Sequence, residues 1–227
     1  MRELLEGVLG FHESVSREPG QRKTYTDLSG HQAPDTLFIG CSDSRVVPHL
    51  LSGSEPGDLF VCRNVGNLVP PSDPYGESTG DHSEAAVLEY AIGTLGVADL
   101  VVCGHSECGA MGALLHGAPA DAPNLGHWLA VAAGALDDRA FPATLGEGLE
   151  PRDRVSQRNV LVQLRNVRSY PVVAEALRGK RLRVHGWWFD IAGATVSAWS
   201  VEAGRFVKID AAYAGKLLAA AGATAGP

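Results

Sequence analysis

Short apolar runs alternate along this chain with longer stretches whose apolar positions recur every three or four residues. Four runs rich in β-branched and aromatic residues predict strands: TLFIG (36–40), LFVCR (59–63), DLVVCG (99–104) and RLRVHGWWF (181–189). The first three are apolar at nearly every position, as in strands buried on both faces of a sheet. Helical patterns fill the intervals, and one of them is predicted to break into two helices at Pro171. The alternation predicts an α/β fold with a mostly parallel central sheet covered by helices.

One later segment is expected to add an antiparallel strand at the edge of this sheet. The run ATVSAWSV (194–201) alternates apolar and polar residues and follows Gly193, which suits a hairpin turn. About four parallel strands plus this edge strand are therefore predicted. No repeat or linker divides the sequence, so we expect a single domain over 1–227, with a frayed tail at 221–227.

The first 30 residues are predicted to form an N-terminal helical arm. The stretch RELLEGVLGFHESV places several apolar residues on one broad helix face: Leu4, Leu5, Val8, Leu9 and Phe11. Such a face must be buried, either against its own domain or against a partner.

Composition and charge narrow the possible partners. The chain has 227 residues, 45% of them hydrophobic, and a net charge of -7, as in a soluble globular protein. Lysine and arginine are scattered, so no basic stripe could follow a nucleic-acid backbone. Glu3 and Glu6 interrupt what a signal peptide would need, and the longest apolar stretch, 85–103, contains charged residues. We expect a cytoplasmic protein with no nucleic-acid or membrane partner.

Candidate chemistry stands directly after two of the predicted strands. Cys41 follows the first strand, while His105 and Cys108 follow the third, just where a helix is predicted to begin. The carboxyl ends of neighbouring parallel strands lie close together, so the three side chains converge if these strands are adjacent. Two thiolates and one imidazole suit a zinc ion and leave the fourth tetrahedral position open, as in catalytic sites.

Each of these residues also has a simpler interpretation. A single cysteine at a strand end is more often an ordinary buried core residue, and the spacing His-x-x-Cys alone is weak evidence for a metal site. Cys62 and Cys103, in the middle of strands, are expected to be core residues, and four cysteines in a reducing compartment predict no disulfide framework. The combination of Cys-x-Asp-x-Arg and His-x-x-Cys after strands of one sheet makes the metal site the stronger interpretation.

The order of motifs resembles one enzyme family. CSDSR, PGDLFVCRNVGNLVPP, EYA, GHSECGAM and HGWWFDI follow one another between about residues 32 and 190. This order is similar to that of the β-class carbonic anhydrases, in their plant-like and cyanate-operon-like branch. The resemblance implies a zinc-dependent lyase that hydrates carbon dioxide reversibly to bicarbonate, with one zinc ion per subunit held by Cys41, His105 and Cys108.

The resemblance also implies roles for Asp43 and Arg45. The arginine can clamp the carboxylate, keep it ionised and leave it able to accept a hydrogen bond from the zinc-bound hydroxide that attacks carbon dioxide. In some family members the aspartate instead moves onto zinc as the fourth ligand. Which way Asp43 points stays open at this stage.

The family's substrate pocket maps onto five positions of this sequence. They are Gln32, Phe60, Val65, Tyr90 and the backbone of Gly109. In the family the residue at the Gln32 position reaches in from the neighbouring subunit, which implies a homodimer or a higher homo-oligomer. Family resemblance likewise favours burial of the N-terminal arm against a partner.

The sequence is also compatible with two other functions. A CS2 or COS hydrolase on the same scaffold would use the same chemistry, and a non-catalytic zinc protein in inorganic-carbon handling would keep the fold. His82 and Glu84 stand where the family usually has small residues. His82 could shuttle protons because imidazole titrates near neutrality, but we expect the two residues to form a solvated helix start.

Overall fold

A mostly parallel sheet forms the centre of the protein. The structure is a computed structural model that describes residues 1–224, with side chains up to residue 219. Within that range six strands pair in the order β2-β1-β3-β4-β5-β6. Their bounds are β1 (Thr36–Cys41), β2 (Leu59–Asn64), β3 (Asp99–His105), β4 (Arg183–Asp190), β5 (Thr195–Ser200) and β6 (Arg205–Lys208). The first four are parallel, and the last two are antiparallel.

The predicted fold class is confirmed, with two differences in detail. A second antiparallel strand, β6, follows the predicted edge strand. The strand β2 lies at the other edge of the sheet and is only partly buried, whereas the sequence predicted burial on both faces. An edge strand has one neighbour, so its apolar residues remain open to solvent in the single chain. The strands β1 and β3 are buried along almost their whole length, as predicted.

Helices cover the sheet and connect its parallel strands. Their bounds in the described range are α1 (Arg2–Arg17), α2 (Pro19–Leu28), α3 (Pro48–Ser52), α4 (Ser83–Glu89), α5 (Gly109–His116), α6 (Pro123–Leu129), α7 (Pro151–Val167), α8 (Pro171–Arg178) and α9 (Ala211–Thr224). Pro171 is the first residue of α8, which confirms the predicted break, because proline has no N–H to donate to the preceding turn. Residues 221–224 belong to α9, and 225–227 lie outside the described residues.

The helix α7 packs directly onto the sheet at two glycines. A Cβ on Gly104 would stand 2.7 Å from a methyl carbon of Val160, and one on Gly186 would stand 2.9 Å from a methyl carbon of Leu164. A larger residue at either position would force the contacted side chain of α7 to shift. The close approach brings the inward face of α7 within hydrogen-bonding distance of the loops that follow β2 and β3.

The predicted N-terminal arm forms two helices, α1 and α2, with its apolar face left open. Leu4, Leu5 and Leu9 are 70%, 58% and 61% exposed. Among the described residues, the apolar face of the arm is therefore not buried against its own domain. Among the described helices, none has the length and apolar character needed to cross a bilayer.

Candidate metal centre

Three buried side chains meet at the carboxyl ends of two adjacent strands. Cys41 is the last residue of β1 and His105 the last residue of β3, and these strands pair in parallel. Cys108 immediately precedes α5. The candidate ligand atoms of the three residues all lie within 4.8 Å of one another. The structure thus brings together the three residues that the sequence singled out as metal ligands.

The imidazole of His105 is oriented to bind a metal through Nε2. Its Nδ1 lies 2.8 Å from the backbone oxygen of Ser106, and a carbonyl can only accept, so Nδ1 carries the hydrogen. The lone pair is then on Nε2, which is buried and has no hydrogen-bond partner among the described residues. An unpartnered buried nitrogen beside two thiols is the donor set that zinc prefers, so the residues present fit this metal.

The two cysteines titrate as a pair. A hydrogen bond with Cys108 lowers the pKa of Cys41 to about 4, against the opposing effect of burial. The same hydrogen bond, together with burial, raises the pKa of Cys108 well above its usual range. The two sulphur atoms therefore hold one proton between them, which a metal would displace. By contrast, burial raises the pKa of Cys62 to about 11 and that of Cys103 to about 12, as expected of neutral core thiols.

Asp43 lies beside the three ligands and is clamped by Arg45. The guanidinium donates from Nε to Oδ1 at 2.9 Å and from Nη2 to Oδ2 at 2.8 Å. These hydrogen bonds hold the pKa of Asp43 well below its usual range, so the carboxylate is ionised. Oδ2 is also 3.9 Å from Nε2 of His105 and has a lone pair left to accept another hydrogen bond. Asp43 therefore faces both Arg45 and the interior of the centre.

Glu107, which the sequence analysis did not assign, anchors the far side of Arg45. Its Oε2 accepts from Nη1 of Arg45 at 3.1 Å. Its backbone has a φ of 56°, an unfavourable conformation for a residue with a side chain, and its N–H donates to Asp153 at 2.6 Å. A charged residue between two candidate ligands is a signal that the sequence did contain. Arg45 thus bridges the loops that carry Cys41 and Cys108.

The loop of residues 65–69 closes another side of the centre. The N–H of Gly66 donates to Sγ of Cys41 at 3.4 Å. The side chain of Val65, one residue earlier, is 44% exposed, and its carbonyl accepts from the indole of Trp128 at 2.7 Å. Val65 therefore lies in the loop that contacts Cys41, and its place in a substrate pocket stays a prediction.

The other predicted pocket residues lie in different places. Gly109 begins α5 directly after Cys108, whereas Gln32 is exposed in the link between α2 and β1. The rings of Phe60 and Tyr90 pack together with centroids 5.7 Å apart. Phe60 precedes Asn64, the partner of Cys41 in the sheet, by four strand residues, which is about 13 Å. Within one chain, Phe60 and Tyr90 are thus separated from the candidate ligands.

The predicted solvated start of α4 is wrong for Glu84. His82 is exposed, but the carboxylate of Glu84 is buried and accepts from Nδ2 of Asn64 at 2.9 Å. Burial raises the pKa of Glu84. The helix turns its second residue toward β2, so a position that usually holds a solvated acid instead supports the strand end next to Cys41.

Glu84→Gln is expected to stabilise the protein increasingly as pH rises. The raised pKa means that the folded chain binds this proton more tightly, so the wild type loses stability from about pH 4.3, the unfolded value, up through its folded pKa. The amide cannot ionise and escapes this loss. Thermal melts from pH 4 to 9 should show the difference in Tm between variant and wild type growing with pH and levelling off above the folded pKa of Glu84.

A matched control for this experiment lies on the same helix. Glu89 is exposed, so Glu89→Gln removes a carboxylate from the same helix without removing a buried group, and at high pH the gain in Tm should be larger for Glu84→Gln than for Glu89→Gln. A difference in Tm between Glu84→Gln and the wild type that is the same at every pH would contradict a buried carboxyl that binds a proton.

Fold and candidate site together define an α/β protein with a Cys-His-Cys metal-binding cluster at the ends of its parallel strands. Comparisons with known proteins identify the family within this class to which the chain belongs. A family model described as carbonic anhydrase matches residues 36–196. A carbonic anhydrase from Pseudomonas aeruginosa is 44% identical over 212 residues, which cover 92% of this chain and 92% of that protein. The chain therefore belongs to the carbonic anhydrase family, in its β class, and is an enzyme.

Solved structures agree with this assignment. The β-carbonic anhydrase CcaA superposes with a TM-score of 0.79 at 37% identity, covering 93% of this chain and 92% of that one. A tetrameric β-carbonic anhydrase from Sordaria macrospora superposes with a TM-score of 0.71 at 30% identity, covering 88% and 95%. The similarity extends well beyond the sheet and includes most of both chains.

Proposed function

We propose that this protein is a zinc-dependent carbonic anhydrase that interconverts carbon dioxide and bicarbonate, with the metal held by Cys41, His105 and Cys108. The observation that carries the proposal is the meeting of three buried ligand atoms within 4.8 Å, beside the ionised carboxylate of Asp43. A zinc site with a purely structural role would not need a carboxylate clamped beside it. Membership of the carbonic anhydrase family supports the same conclusion.

The residues around the cluster have distinct parts in this reaction. When bound, zinc supplies a Lewis acid that turns water into a nucleophile near neutral pH. With the metal bound, Asp43 would accept a hydrogen bond through Oδ2 from that nucleophile and would so orient it toward carbon dioxide. Arg45 occupies both carboxylate oxygens, which keeps Asp43 ionised and holds it beside the ligand atoms rather than among them. Val65 provides an apolar surface for a substrate that has no dipole.

The remaining pocket residues are proposed to act from a second copy of the chain. Gln32, Phe60 and Tyr90 lie away from the ligands of their own chain, so they meet substrate only across an interface between subunits. The tetrameric enzyme from Sordaria macrospora has the same fold, which supports a homo-oligomer here. The cytoplasmic location predicted from the sequence stays a prediction.

Substituting aspartate for both Leu5 and Leu9 is expected to dissociate the oligomer. Both side chains lie on the open apolar face of α1, and a charge there would be buried without a partner on assembly. Light scattering after gel filtration should report a mass close to 24 kDa for the double variant and at least twice that for the wild type. Glu6→Gln, on the polar face of α1, is the control and should assemble normally. An unchanged mass for the double variant would contradict burial of this face between subunits.

Stopped-flow hydration of carbon dioxide tests the proposed function. Activity should vanish when a chelator removes the metal and return when zinc is restored. Carbon oxysulfide and carbon disulfide belong in the same assay, because a related hydrolase would prefer them. Rates that do not depend on zinc, or turnover of the sulphur compounds with none of carbon dioxide, would overturn the proposal.

A further inference from the structure

The helix α7 carries a buried polar face directed at the loops of the metal centre. The polar residues of this face recur every three or four positions along the chain, so they share one side of the helix. Each is at least 94% buried: Ser156, Asn159, Gln163 and Asn166. Buried polar groups destabilise a fold unless they are hydrogen-bonded, so each of these side chains needs a partner.

Their partners are backbone groups beside the candidate ligands. The hydroxyl of Ser156 donates to the carbonyl of His105 at 2.7 Å, and Nδ2 of Asn159 donates to the carbonyl of Gly66 at 2.9 Å. Oδ1 of Asn159 accepts from Gln163 at 2.8 Å, which fixes the orientation of the amide. A single helix face therefore holds the loop after β2 and the loop after β3 in place.

Gly66, in the loop after β2, contacts a candidate ligand directly. Its φ of 87° favours glycine, and a Cβ there would stand 3.1 Å from that of Ala110. Its N–H points at Sγ of Cys41 at 3.4 Å. Hydrogen bonds to a metal-binding thiolate withdraw charge from sulphur and thereby tune the metal.

Both peptides that flank Gly66 are held by side chains from elsewhere in the chain. The peptide that contains the N–H of Gly66 also contains the carbonyl of Val65, which accepts from the indole N–H of Trp128 at 2.7 Å. The next peptide contains the carbonyl of Gly66, which Asn159 holds. In a trans peptide the carbonyl and N–H point in opposite directions, so fixing the carbonyl of Val65 aims the N–H of Gly66.

We propose that Trp128 and Asn159 are positioning residues of the metal centre, because together they fix the two peptides around Gly66 and aim its N–H at the sulphur of Cys41. The inference rests on the proposed zinc site. The hydrogen-bonded chain from indole to peptide to sulphur also polarises each successive bond, so losing its first donor weakens the last.

Trp128→Phe is the variant that tests the proposal, because it keeps an aromatic ring and removes only the indole N–H. Trp199→Phe is the matched control, since Trp199 lies on β5 and packs against Phe206, away from the centre. We expect zinc affinity, measured by competition with a chromophoric chelator, to fall about 10-fold in Trp128→Phe. In the cobalt-substituted protein, the sulphur-to-cobalt charge-transfer band should move to longer wavelength. Both measures should stay at wild-type values in Trp199→Phe.

Asn159→Leu, compared with Asn166→Leu, separates positioning from loss of stability. Both substitutions remove a buried amide from the same helix face, but Asn166 contacts the carbonyl of Val69, three residues beyond Gly66. Only Asn159→Leu should lower zinc affinity and move the cobalt band. A wild-type band and affinity in folded Trp128→Phe and Asn159→Leu would overturn the proposal.

The hydrogen bond from Gly66 to Cys41 can also be tested in the wild-type protein. In protein loaded with ¹¹³Cd, the amide proton of Gly66 should show a scalar coupling to the metal through Sγ of Cys41, and absence of this coupling would overturn the proposal. The backbone N–H groups of Ala110 and Met111, which approach the sulphur of Cys108, provide the internal control. A wild-type protein with no sulphur-to-cobalt band at all would instead refute the zinc site itself, which distinguishes the two failures.

Discussion

Cys41→Ala is expected to abolish zinc binding and carbon dioxide hydration together. The substitution removes one of the three atoms that meet at the strand ends, and two ligands cannot retain zinc against competing chelators. Without the metal, the water keeps a pKa of about 16 instead of about 7, so turnover should fall by roughly three orders of magnitude or more. Metal analysis and stopped-flow hydration on the same preparation check both parts.

Cys103→Ala provides the matched control for this variant. Cys103 is fully buried on the neighbouring strand β3 and packs in a separate apolar cluster with Phe38 and Phe189. Its loss should lower thermal stability but leave one zinc ion per chain and near-normal turnover. If Cys41→Ala kept its zinc, or if Cys103→Ala lost it, the assignment of ligands would be contradicted.

Asp43→Asn is expected to reduce turnover by about 100-fold or more while zinc content stays at one ion per chain. The amide has nearly the same shape as the carboxylate, but it carries no charge and cannot receive the two hydrogen bonds from Arg45 in the same way. It would orient the nucleophile poorly, although the three ligands remain. Stopped-flow rates at equal zinc occupancy measure the effect.

The chain contains its own control for Asp43→Asn. Asp137 and Arg139 form a second Asp-x-Arg pair, with Nε of the arginine 3.2 Å from the carboxylate, but the arginine is almost fully exposed. Asp137→Asn should leave turnover unchanged, because an exposed pair of this kind contributes little. Wild-type turnover in Asp43→Asn would refute its orienting role, and an equal loss in both variants would point to a general effect of charge.

The sequence was informative where chemistry and local pattern coincide. Continuous apolar runs predicted β1 and β3, and the polar residues directly after them predicted Cys41, His105 and Cys108 as neighbours. The rule that parallel strands end at one edge of a sheet was sufficient to bring them together. The four parallel strands and the helix break at Pro171 follow from equally local signals.

The hydrogen bonds that hold the site from distant parts of the chain could not be predicted from the sequence in the same way. The contact between Trp128 and Val65 spans 63 residues, and that between Asn159 and Gly66 spans 93. No local pattern tells which distant carbonyl a buried amide will meet. The burial of Glu84 was missed for a related reason, because an acid in a first helical turn is usually solvated and only the packing of α4 on β2 reverses this.

The X-ray absorption spectrum of the active, zinc-loaded wild-type protein tests the central claim most directly. With Cys41, Cys108 and His105 as ligands, it should show two sulphur atoms at about 2.3 Å and two lighter atoms at about 2.0–2.1 Å, one from imidazole and one from the open position. A zinc ion surrounded by four sulphur atoms, or by none, would contradict the site.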